Sequence, residues 1–226
     1  MIDRINIMAK DLDFHKVKKP GVAVDVILLT IENDNLKIGL IKRKEDPYFG
    51  KNALPGRFVR YNEKIIDTAK QALKLKGNID PEKVYLKQLH TFGNDLVRDT
   101  RIRTISIVYY GLVPSTKVDF GKDNLFTWHS VYDLPKLAFD HERIIKYALE
   151  IIRDQLFDSQ LVFKILPKEF TLTELQNAFE LILDSKLDKR NFRKKINELY
   201  ILKSLDKKRS EGAHRPAVVY SFVKKK

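Results

Sequence analysis

The last third of this chain has the least freedom in how it can fold. In residues 171–183 the apolar side chains Leu172, Leu175, Ala178, Phe179 and Ile182 recur at helical spacing. Thr171 or Thr173 can cap that helix, and Glu174, three residues after Thr171, has the spacing of a capping box. Asp188 opens a second helix that runs to about Tyr200, with Phe192, Ile196 and Leu199 facing inward. Two strand-like pieces follow, 201–205 and 217–222, separated by the polar, basic loop 206–216 with Gly212 to form its tip. Helix, short turn, helix and a hairpin with a basic tip is the element order of a winged helix-turn-helix.

Charge is distributed to match. The 226-residue chain has a formal charge of +13, and residues 186–226 hold 14 Lys/Arg against 4 Asp/Glu. Clustered cations fit either a polyanion partner or a solvated basic surface. On the second helix the apolar residues Phe192 and Ile196 share one face, which leaves Lys189, Arg190, Arg193 and Lys194 largely on the other. Such a helix suits a major groove: Asn191 can address an adenine edge, Arg190 or Arg193 a guanine edge, and the remaining cations phosphates. Thr171 and Thr173 on the first helix, with Arg209, His214 and Arg215 in the wing, complete the expected set of contacts to double-stranded DNA.

The first two thirds alternate strands and helices. Residues 22–30 form an apolar strand interrupted by Asp25, and 36–42, 84–92 and 104–113 read as further strands. Residues 63–76 have a helical apolar face that ends at Gly77, and 140–157 form an amphipathic connecting helix. The expected division is a unit of residues 1–156 and a winged helix of residues 160–226. With 43% hydrophobic residues a core can be buried, and with no cysteine neither disulfides nor thiolate metal sites are available. No apolar run is long enough to span a membrane, so a cytoplasmic protein is expected.

Leu54-Pro55-Gly56-Arg57-Phe58-Val59 followed by a helix to Gly77 resembles the Nudix box, with its two glycines in register and without a gap. Its acidic positions are replaced: Asn62 stands for the first Glu, Lys70-Gln71 for the Arg-Glu pair, and Lys74-Leu75 for the Glu-Glu pair. Hydrolysis of a diphosphate in this family implies magnesium held by carboxylates, and ammonium groups there would repel it. No catalytic residues, no metal and no cofactor are therefore expected.

A Nudix-like domain followed by a winged helix resembles the Nudix-related transcription regulators, which include NAD-metabolism (NrtR-type) and arabinose-utilisation (AraR-type) repressors. Leu54 to Arg60, Ala138-Phe139-Asp140-His141, Phe170 to Gln176, Leu187 to Arg193 and Gly212 to Pro216 each resemble a segment of that family. The resemblance implies an α+β chain: a Nudix-like α/β/α sandwich with a mixed sheet that senses an effector, then a winged helix. It also implies a homodimer on a palindromic operator. Arg57 replaces a glycine of the family segment, which argues for a compact effector such as L-arabinose, with ADP-ribose the alternative. Expected effector contacts are Asp25, Lys42, Arg57, Arg60, Asp95, Arg98, Arg101 and Arg103.

Overall fold

The computed structural model describes residues 18–118, 125–210 and 216–223. Its first unit is a mixed sheet. Strand β1 (Gly21–Glu32) turns through Asn33 and Asp34 into β2 (Asn35–Lys42). Both turn residues have φ near 50°, a conformation that Asn and Asp tolerate and that matches the twist of a tight hairpin. Short strands β3 (Asn52–Ala53) and β4 (Gly56–Phe58) precede helix α1 (Ile65–Gly77), and β5 (Tyr85–Phe92), β6 (Thr104–Leu112) and β7 (Phe126–Ser130) follow. The sheet order is β3-β2-β1-β6-β5, with β4 beside β1 and β7 beside β2. β1 and β6 run parallel and the other pairs antiparallel.

The β1 sequence explains its central place. A nearly unbroken apolar run has no polar face to give to water, so both faces must be covered. Val24, Val26 and Leu28 pack on Ala69, Ala72 and Leu73 of α1. Ile27 and Leu29 pack on Ile144, Ile145 and Ala148 of helix α2 (His141–Asp154). The result is the expected α/β/α sandwich. Helix α1 ends one residue later than expected: Gly77 remains helical, and Asn78, with φ of 49°, takes the left-handed cap.

The second unit contains α3 (Val162–Ile165), β8 (Glu169–Thr171), α4 (Leu172–Leu183), α5 (Lys189–Leu199), β9 (Ile201–Arg209) and β10 (Ala217–Val223). Its sheet order is β8-β10-β9, the arrangement of a winged helix. Thr171 and Glu174 form the complete reciprocal capping box at α4, and Asp188 caps α5 by accepting the Asn191 N–H at 2.8 Å. β9 reaches four residues further than its apolar pattern suggests, because pairing with β10 carries it through Lys207 and Lys208 to Arg209. One apolar cluster joins the two units, running from Ile27 through Ile144 and Ile152 to Phe179, Phe192 and Ile196. Helix α2 is thus a layer shared by the sheet and the winged helix. Among the described residues no helix is long and apolar enough to cross a membrane.

Candidate functional site

The sequence points to two sites. On α5, Phe192 and Ile196 are buried while Lys189, Arg190, Asn191, Arg193 and Lys194 are exposed. Thr173 is exposed in the first turn of α4. Thr171 is not available to a partner: it is 2% exposed, and its hydroxyl accepts the Glu174 N–H at 3.1 Å. Its hydroxyl is taken up by the cap. Arg209 is also engaged, with its guanidinium 2.6 Å from Glu174 and a second hydrogen bond to the Glu169 carbonyl. Lys207 pairs with Glu169 as well, so the root of the wing is latched to the start of α4. His214, Arg215 and Gly212 lie outside the described residues.

The other site is a cleft of about 240 Å³ at the open end of the first unit. Asp25 comes from β1, Arg57 from β4, Lys76 from α1, Arg98 and Arg101 from the β5–β6 loop, and Phe139 and His141 from the entrance to α2. Gly56 crosses Asp25 so closely that a Cβ would stand 2.1 Å from its Oδ1. The Ser106 hydroxyl donates to the other Asp25 oxygen. His141 is buried, and its Nδ1 accepts the Leu54 N–H at 2.9 Å. Burial lowers the imidazole pKa, and because Nδ1 accepts a hydrogen bond the ring proton is assigned to Nε2, which faces Asp25 at 3.9 Å.

Cations dominate the rest of the wall. Arg98 makes a bidentate pair with Asp140, at 2.7 and 3.0 Å. Arg101 does the same with Asp99, at 2.8 and 3.0 Å. Burial opposes ionisation of Asp99, but the hydrogen bonds from Arg101 outweigh it and hold the carboxyl below its usual range. Desolvation at the cleft pulls the Lys76 ammonium below its usual range. Phe139 sits with φ of 55°, an uncommon place for a bulky side chain. The guanidinium groups of Arg43 and Arg101 both lie over its ring, at 4.8 and 5.0 Å from the centroid.

Of the eight expected effector contacts, Asp25, Arg57, Arg98 and Arg101 line this cleft. The other four do not. Lys42 is exposed beyond its edge and Arg60 is exposed after β4. Arg103 donates to the carbonyls of Asp95 and Gly93, and the Asp95 carboxylate accepts the Val97 N–H. Those two residues shape the β5–β6 loop. Arg57 lines the cleft and is held in place by Glu63 at 2.9 Å. Sequence reading missed Lys76 and the Phe139 ring. Lys76 carries no distinguishing signal in the sequence, where it is one of three lysines on the same helix.

The positions that carry acids in a Nudix box lie on the exposed side of α1, with Gln71, Lys74 and Leu75 all exposed. Among the described residues no group of three or more His, Asp or Glu converges as a metal site would. A sheet between two helices with this frame, followed by a winged helix, defines a Nudix-like domain joined to a winged-helix domain. Residues 162–222 match the NrtR DNA-binding winged helix domain. The ADPR responsive transcriptional repressor NtrR of Acinetobacter baylyi is 30% identical over 210 residues, which cover 90% of this chain and 82% of that protein. An ADP-ribose pyrophosphatase of Methanocaldococcus jannaschii is 41% identical over 128 residues, 56% of this chain and 72% of that enzyme. The crystal structure of Shewanella oneidensis NrtR with a 27mer DNA superposes with a TM-score of 0.78 and 28% identity, covering 89% of this chain and 93% of that one. The chain belongs to the NrtR family of Nudix-related winged-helix transcription regulators.

Proposed function

We propose that this protein is a transcriptional repressor that binds an operator through α5 and the wing and responds to ADP-ribose in the cleft. The observation that carries the effector is the chemistry of the wall: Arg43, Arg101 and Lys76 beside the Phe139 ring, with the Asp25 carboxylate among them. Cations suit a diphosphate, an aromatic face suits a base, and a carboxylate suits ribose hydroxyls. A free pentose needs none of the cations. The expectation of L-arabinose therefore gives way to its alternative, in keeping with the ADP-ribose response named for the Acinetobacter relative. A homodimer on a two-fold operator fits one α5 helix per half-site.

The cleft is read as a binding site and not a hydrolytic one. Asn62, Gln71, Lys74 and Leu75 stand where magnesium ligands are expected. The archaeal pyrophosphatase relative favours hydrolysis as the second reading. Calorimetry with ADP-ribose and chromatography of the same mixture in magnesium test both readings. Saturable binding with no ribose 5-phosphate or AMP is expected. Absence of binding would overturn the effector, and magnesium-dependent product would overturn the non-catalytic reading.

A further inference from the structure

Helix α2 touches both sites. At its N-terminal end Asp140 holds Arg98 in a bidentate pair, and the first residue, His141, meets Leu54 and Asp25 inside the cleft. Its fourteen residues then span about 20 Å. At its far end Arg153 donates from Nε to the Ile182 carbonyl of α4 at 2.8 Å. Tyr132, just after β7, donates its hydroxyl to the Leu181 carbonyl, and Arg153 reaches that hydroxyl at 3.4 Å. The last carbonyls of a helix have no partner within it. In α4, Leu181 and Ile182 receive theirs from side chains of the sensor unit. A third tie joins Asn177 of α4 to Asp34 in the β1–β2 turn, at 2.6 Å.

The reader beyond these ties is internally stiff. Gln176 donates to the Leu187 carbonyl at 2.9 Å, and Glu180 accepts the Leu187 N–H at 3.1 Å, so the α4–α5 turn is laced from the α4 side. The Phe179 and Phe192 rings meet at 5.3 Å across the two helices. These contacts hold α4 and α5 together as one packed pair. The exposed cations Lys189, Arg190, Arg193 and Lys194 ride on α5.

We propose that Tyr132 and Arg153 are positioning residues that couple the cleft to the recognition helix, by fixing the end of α4 to the end of the helix whose beginning forms the cleft wall. Ligand that competes for Arg98, Asp25 or the Asp140 pair shifts the seat of α2, and the two side chains transmit that shift to the α4–α5 pair. The proposal rests on the effector reading above. It requires that the ligand bind the two settings of α2 with different affinity, since only that difference can move the equilibrium.

The test measures operator affinity of the full chain by fluorescence anisotropy, with and without saturating ADP-ribose, alongside ADP-ribose affinity by calorimetry. The ratio of the two operator affinities is the coupling, for which about 5-fold or more is expected in the unmodified protein. Tyr132→Phe/Arg153→Met should still bind ADP-ribose within about two-fold and still bind the operator, while the ratio falls toward one. Tyr132→Phe alone removes one hydroxyl and should lower the ratio part of the way, which covers the case in which the double variant folds poorly. Arg153→Lys should restore part of it. Lys146→Met, on the exposed face of α2, should leave it unchanged. A wild-type ratio that persists in Tyr132→Phe and the double variant overturns the proposal alone. A ratio of one in the unmodified protein overturns the effector reading on which it rests.

Discussion

Gly56 and Gly77 hold the ends of the Nudix frame for reasons of space. A Cβ on Gly56 would meet an Asp25 oxygen and the Val24 carbonyl, and one on Gly77 would meet the Phe126 ring at 2.9 Å. Gly56→Ala is expected to destabilise the fold by about 1–3 kcal/mol, the usual cost of overpacking a tight site, read as a lower urea midpoint. An unchanged midpoint would contradict the close crossing at Asp25. His141 makes a second prediction. Burial lowers its pKa from the ordinary 6.5, so the unfolded chain takes up the proton more readily than the fold does. Its contribution is therefore complete above 6.5 and is lost as the pH falls below that value toward the lowered folded one. Urea midpoints at pH 7.5 and 5.5 should differ less in His141→Gln than in the unmodified protein. Equal differences would place the pH response elsewhere.

Elements with a long apolar period were legible. α4 and α5 follow from spacing, β1 follows from its apolar run, and Thr171 with Glu174 announced the capping box that forms. β3, β4 and β8, of two or three residues, are too short to display a period, and their place comes from pairing with β2, β1 and β10. Thr171 separates the two roles that sequence allowed it. As a cap, Thr171→Ala should cost about 1 kcal/mol of stability, measured by denaturant, and leave operator affinity of the folded protein nearly unchanged. A loss of affinity with no loss of stability would return it to the DNA face. Arg190→Ala, by contrast, should narrow the gap between operator and random duplex, seen by competition, while leaving the denaturation midpoint in place.

At the scale of the whole molecule the two-unit organisation was legible, because composition, frame and element order all agree. The cleft was legible only by half. A loop arginine that only closes a turn and one that also lines a cleft look alike in sequence: Arg103 ties two carbonyls of its own loop, while Arg101, two residues earlier, pairs with Asp99 and reaches the Phe139 ring in the cleft. Only the fold separates them. Lys76 and Phe139 reach the cleft from α1 and from the entrance to α2, far apart in the chain. The shared apolar layer around α2 was likewise invisible, since an amphipathic connecting helix does not announce that it is covered by two partners. The proposed switch joins a cationic cleft, a helix that touches it and a winged helix held at the other end of that helix. Its most direct test is the affinity of the full chain for a duplex it selects from random sequence, measured by anisotropy in the presence of ADP-ribose and, separately, of L-arabinose. ADP-ribose is expected to weaken operator binding by about 5-fold or more, and arabinose to leave it unchanged. An operator affinity indifferent to ADP-ribose, or sensitive to arabinose, would contradict that switch.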